Sequence, residues 1–244
     1  MGRQRESTHN YTGNYLISIS DMFMGLLFLF IILLVYYASQ TNITRKKLSD
    51  ARETRSNLLL ELKENLNEGN IQVIIDESNG ILRLPDGTVS FIHDSDEFES
   101  ESSLESLRKL SDAFVEILPC YIGATDQKNC KDILHYVESV FVEGHTDSTG
   151  SNERNWRLSS ERGYAAYKVM LEEHPELNNF LNRGGKNLFS ISGYGEGRPL
   201  LNKNNLDKDL YNRLNRRIDF RFIMTPPENL EIEDGKLKFT QVKR

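Results

Sequence analysis

The chain has 244 residues, 38% of them hydrophobic, and a formal net charge of −6, with 30 basic residues scattered among 36 acidic ones. That length accommodates one membrane anchor plus one folded domain of about 150 residues, and the scattered basic residues argue against nucleic acid as a partner. Two cysteines with no neighbouring histidine make a poor zinc site.

Residues 1–15 form a short polar tail, expected to be unfolded and cytoplasmic. From Leu16 to Tyr37 the chain is apolar, and Met22 to Val35 contain no polar side chain. At about 1.5 Å per residue this segment spans the roughly 30 Å hydrocarbon core of a bilayer. Tyr15, Tyr36 and Tyr37 stand where interfacial aromatic residues belong. One carboxylate, Asp21, interrupts the run, at a cost of roughly 2.5–3.5 kcal/mol if charged at mid-membrane depth. Two readings of Asp21 stand: an N-cap after Ser20, or a functional acid within the span. No small-x-small site follows Tyr37, which favours an uncleaved anchor over a signal peptide. Arg3 and Arg5 on one side and Arg45, Lys46 and Lys47 on the other leave the orientation undecided by charge.

Residues 38–69 are charged and rich in helix formers, with Leu58, Leu62 and Leu66 four apart, so a helical stalk is expected, with a paired-helix seam as one option. At Gly69 the pattern changes. Ile71–Ile75 and Ile81–Leu84 read as a β-hairpin around Asp76–Gly80. Ser102–Leu118 is helical by its 3–4 spacing, with Pro119 as the expected stop. Cys120 and Cys130 then bound a loop. In a domain beyond the membrane that spacing fits a local disulfide, worth about 2.5–3 kcal/mol, and it tilts the orientation towards an N-terminus inside and a periplasmic C-terminal domain.

Tyr136–Glu143 alternates as a strand, Asn152–Glu173 is a helix, Leu188–Ser192 a strand, Leu206–Asn215 a short helix and Arg217–Ile223 the last core strand. The order is ββαβαβ, an α+β domain over residues 70–224 with helices on one face of a small mixed sheet. Residues 225–244 form a tail in which Leu230–Phe239 could pair as a hairpin around Asp234-Gly235.

The chemistry concentrates in Val142-Glu143-Gly144-His145-Thr146-Asp147 and the helix after it. Asp147 lies in the loop after a strand, and Arg162 shares a helical face with Asn155 and Leu158. An acid and an arginine converging on one pocket suit a zwitterion, but equally fit a salt bridge that ties loop to helix. His145 beside Asp147 could serve acid–base chemistry or a metal site. The acidic runs at Asp94–Glu101 and around Asp126 could hold calcium, although acidic loops are usually only solvated.

Four ordered motifs, V-E-G-H-T-D-x-x-G, N-x-x-L-S-x-x-R, G-x-G-E-x-x-P and N-R-R-I-D, resemble OmpA-like peptidoglycan-binding domains over roughly residues 70–223. The resemblance implies that Asp147 and Arg162 hold the diaminopimelate of the peptide stem, that Asn155 and Leu158 line the groove, that Arg216 and Arg217 are the N-R-R pair, with Arg217 contributing or structural, and that His145 is a turn residue and not a catalyst. The cysteine-bounded insertion, residues 119–131, departs from the family.

One membrane helix with a single acid, a stalk and an OmpA-like domain together resemble the B subunits of flagellar-type stators. The long charged stalk, the cysteine insertion and the S-D-M-F-M-G-L-L-F helix look more like the B subunits of the Zorya anti-phage system. That resemblance implies Asp21 as the carrier of a proton or sodium ion, two copies of this chain within a pentamer of A subunits in the bacterial inner membrane, peptidoglycan as the fixed point, no cofactor and no enzymatic activity. A flagellar or gliding-type stator, and a passive envelope tether, are the alternatives.

Overall fold

A computed structural model describes residues 6–123, 130, 133, 135–201, 207–225, 230–233 and 236–239. The chain divides into two compact units, Met1–Leu48 and Ser49–Arg244. A single helix, α1 (Glu6–Glu68), supplies the described part of the first unit and opens the second.

In the first unit α1 is the one helix among the described residues long and apolar enough to cross a membrane. Its large apolar side chains from Met22 to Tyr37 are all exposed, as expected of a surface that meets lipid. The helix begins at Glu6, so the tail expected to be unfolded is helical from there on, and residues 1–5 lie outside the described residues. The same finding removes the capping role for Asp21. That residue sits well inside the helix, where no free backbone N–H needs a cap.

The second unit is an α+β domain. Its sheet runs β1 (Ile74–Asp76), β2 (Ile81–Pro85), β5 (Arg217–Met224), β3 (Val137–His145), β4 (Phe189–Gly193) in spatial order. The β3–β4 pair is parallel and the other three pairs are antiparallel. Between the strands come α2 (Glu101–Ile122), α3 (Asn152–Glu173) with a 3₁₀ turn at Pro175–Asn179, and α4 (Lys208–Asn215). Strands β6 (Leu230–Glu233) and β7 (Lys236–Phe239) pair by themselves, and the turn expected at Asp234-Gly235 lies outside the described residues.

Leu82, Leu84, Val140, Val142, Ile218, Phe220 and Phe222 face one side of the sheet, and α2 and α3 cover it. Phe114 of α2 is central, edge-on to Phe220 at 5.4 Å and to Phe222 at 5.9 Å. The stalk reading fails for residues 49–68. Leu58, Leu59, Leu62 and Leu66 are essentially inaccessible and belong to this same core, each worth about 2 kcal/mol of burial. The four-residue repeat that suggested a seam between two chains is therefore satisfied within one. Tyr121 Oη donates to Glu61 at 2.8 Å, and Asn65 Nδ2 donates to Glu116 at 3.1 Å, tying α1 to α2.

Helix α2 also runs past Pro119. The ring removes one backbone donor, but Tyr121 and Ile122 are buried beyond it, and Gly123 closes the helix in the left-handed region at φ 70°. Cys120, in that last turn, is disulfide-bonded to Cys130. Most of the insertion between them, including Asp126, lies outside the described residues.

His174, at the end of α3, faces two carboxylates: Nε2 is 2.7 Å from Asp112 of α2 and Nδ1 is 3.0 Å from Glu176. The hydrogen bond to Asp112, then the one to Glu176, raise its pKa against partial burial. A raised folded-state pKa gives stability that is complete below the ordinary value near 6.5 and is lost as pH climbs through the raised value. Urea midpoints measured from pH 6 to 9 should therefore fall more steeply for the wild type than for His174→Gln, and parallel curves would refute the clamp.

Candidate functional site

The site begins at the end of β3. A Cβ on Gly144 would stand 1.8 Å from the carbonyl oxygen of Ser159, so only glycine lets α3 cross the strand here. That crossing aims the first turns of α3 at the loop after β3. Ser151 caps the helix by accepting from the Arg154 N–H, and Asn155 Nδ2 donates to the Asp147 carbonyl at 3.3 Å.

A cleft of about 550 Å³ opens beside this turn. Asp147, Asn155, Leu158 and Arg162 all line it, so four residues singled out in the sequence do meet. Their pairing differs from the expected one, because Asp147 does not bond to Arg162. Its Oδ1 accepts from the Thr149 N–H at 2.8 Å, and its Oδ2 accepts from Arg216 Nη1 at 2.9 Å. Burial pushes the Asp147 carboxyl up, but those hydrogen bonds outweigh it and hold the pKa below the usual carboxylate range. Arg216 also donates to Asp86 at 2.8 Å, bridging two acids. Burial works to lower its pKa, and the two carboxylates more than compensate.

Arg162 is only 4% exposed. Its Nε and Nη2 donate to the carbonyls of Ser95 and Ile92 at 2.9 and 3.0 Å, and its guanidinium carbon lies 4.9 Å from the centre of the Phe91 ring. Burial, then Arg216, lower its pKa, opposed by Asp147 and Asp86. The same loop is held from the other side by Arg154, whose Nε donates to Asp94 Oδ1 at 2.6 Å. Asp94 sits at φ 55°, a conformation Asp tolerates and that this grip maintains. The acidic run beginning at Asp94 is thus a wall of the cleft, organised by arginines.

Arg217 is not in the cleft. Alternation along β5 turns Arg217, Asp219 and Arg221 to the face opposite Ile218, Phe220 and Phe222. There Arg83 Nε and Nη2 hold Asp219, Arg217 Nε adds a third bond at 3.1 Å, and Arg221 grips both oxygens of Glu143. His145 is buried against this layer and stacks on Tyr194 at 5.3 Å. Burial, then Arg217, push its pKa down to about 3, so it is neutral and takes no part in the cleft. Glu143, His145 and Asp219 lie close enough together to suggest a metal site. Guanidinium groups already occupy the carboxylate oxygens, and a divalent cation would have to displace them, so the arrangement reads as structural.

Asp86 and Arg154 were not among the sequence candidates, and Arg216 entered only through the N-R-R match. For Arg216 a signal existed: adjacent residues at a strand start point to opposite sides, so only one arginine of the N-R-R pair can join the charged layer. Asp86 and Arg154 meet the cleft only through the fold, 130 residues separating Asp86 from Arg216.

A model of the OmpA family matches residues 123–213. A search of curated proteins gave no match. Among solved structures, the chain is similar to the periplasmic domain of Helicobacter pylori MotB at 18% identity, covering 58% of this chain and 74% of that one, with a TM-score of 0.39. It is also similar to a putative MotB-like protein from Desulfovibrio vulgaris (21% identity, 72% and 96% covered, TM-score 0.45). A third is the cell wall anchor of the T6SS from Pseudomonas aeruginosa (15% identity, 66% and 94% covered, TM-score 0.42).

The two neighbouring arginines should separate by measurement. Removing Arg217 leaves a buried carboxylate short of a partner, so Arg217→Ala should cost about 3 kcal/mol in urea unfolding. Arg216, partly exposed, should cost about 1 kcal/mol on the same assay. Equal losses would contradict the assignment of Arg216 to the cleft and Arg217 to the core layer.

Proposed function

We propose that this chain is a cell-wall-anchoring, stator-type membrane subunit whose OmpA-like domain grips the peptide stem of peptidoglycan. The observation that carries the reading is the cleft, which Asp147, Arg162 and the partly exposed Arg216 line together. A diaminopimelate-type residue brings both an ammonium and a carboxylate. Asp147 retains free lone pairs for the ammonium beside its two existing bonds, while the guanidiniums take the carboxylate. Asn155 holds the Asp147 loop in place and Leu158 gives the apolar wall.

The helix carries the second half of the proposal. Asp21 is the lone acid in a span of exposed apolar side chains, and a carboxyl group there can load and release a proton or sodium ion during rotation. Each charge crossing yields roughly 2.3 kcal/mol per 100 mV. One helix with one acid is half of an ion path. The rest comes from a membrane partner, which the resemblance to Zorya B subunits makes a pentamer of A subunits around two copies of this chain, in anti-phage defence. The role is anchoring and ion carriage, with no catalytic step and no cofactor.

Asp21→Asn and Arg162→Ala, each in the native gene neighbourhood, should both abolish protection in phage plating while swimming stays normal. Loss of swimming instead would assign the chain to a flagellar stator. Full protection by Asp21→Asn would reduce it to a tether.

A further inference from the structure

On its outer side, α3 carries a line of side chains that neither the core nor the cleft uses. Trp156, the chain's only tryptophan, is 49% exposed, and Tyr164 is 58% exposed. Ser160 lies between them, its hydroxyl donating to the Trp156 carbonyl at 3.1 Å on the side of Gly193. At spacing four these residues share one stripe of the helix, with the two rings roughly 12 Å apart along its axis. Among the described residues, no aromatic ring or guanidinium packs on either ring.

The stripe belongs to the same first turns that build the cleft. Asn155 and Leu158 face the cleft, and Trp156 stands on the far side of that turn, its backbone packed against Gly195. Glu153, Arg157 and Lys168 border the stripe and are exposed. Two rings set among charges are too little for a subunit interface, which needs about 800 Å² per partner and a core depleted of charge. They suit a pyranose chain, whose C–H faces stack on flat rings while its hydroxyls bond to the charged border.

We propose that Trp156 and Tyr164 form a saccharide-binding strip that takes the amino-sugar strand of the polymer whose peptide enters the cleft. The inference rests on the peptidoglycan reading above. It gives the domain two subsites on opposite sides of α3, one for peptide and one for glycan.

The sole tryptophan is also the reporter. The full-length chain in detergent is titrated with a disaccharide-peptide, with the same peptide free of sugar, and with a peptide-free amino-sugar oligosaccharide, following fluorescence and heat of binding. The two sugar-bearing ligands should shift the emission to the blue and the bare peptide should not. Trp156→Ala should weaken the disaccharide-peptide roughly tenfold and leave the bare peptide unaffected, with Tyr164→Ala acting in the same direction. Arg216→Ala should weaken both peptide ligands. Wild-type affinity for the disaccharide-peptide in both aromatic variants would overturn the strip. So would a Trp156→Ala chain that loses self-association in sedimentation with its binding unchanged, which would mark a second copy as the occupant. Failure of the bare peptide to bind the wild type would overturn the cleft reading alone, because the oligosaccharide still tests the strip.

Discussion

The contact on which the rest of the domain depends is the backbone crossing of α3 over β3 at Gly144. Without a side chain there, helix and strand approach to the distance of the Ser159 carbonyl, and Gly193 on β4 meets Ser159 and Ser160 in the same tight layer. Everything in the cleft follows from that angle. Asn155, Leu158 and Arg162 share one face of α3, and the crossing turns that face towards the loop holding Asp147. A bulkier residue at Gly144 would push the helix off the strand and separate those groups.

A second constraint is the charge arrangement on the uncovered face of the sheet. Register places Arg83, Asp219 and Glu143 in one cross-strand row, with His145 opposite Arg217. Two carboxylates side by side would repel, and interleaved arginines neutralise them. Such a layer contributes less to net stability than apolar packing would, but it tolerates no loss of a single partner. It also fixes where β5 begins, and so sends Arg216 into the cleft. The neutral His145 adds an acid sensitivity: its depressed pKa means that stability present above about 6.5 is given up as pH falls towards 3.

Much of this was legible in the sequence. Helix α3 matches its expected span because Ser151 caps it and its apolar positions keep a helical period. The mixed sheet followed from alternation, and the cleft's acid and arginine from spacing and motif together. What misled were local rules overridden by packing. Pro119 failed to stop α2 because Tyr121 and Ile122 had somewhere to be buried. The leucines of residues 58–66 met the domain's own core, a partner that no periodicity can name. The Asp147–Arg216–Asp86 bridge joins three segments far apart in the chain, and the expected Asp147–Arg162 pair gave way to it. Where a charge is desolvated, the nearest partner in space decides, and sequence distance carries no information about that.

In the proposed function, helix and cleft serve one role: the helix with its lone acid works against a fixed point, and the cleft is what grips it. The most direct test is co-sedimentation of the detergent-solubilised chain with purified sacculi, comparing the wild type with Asp147→Asn at matched thermal stability. The account predicts that the wild type pellets and Asp147→Asn stays in solution. Equal pelleting of the two would contradict it, because the carboxylate at the centre of the cleft would then have no part in holding the wall.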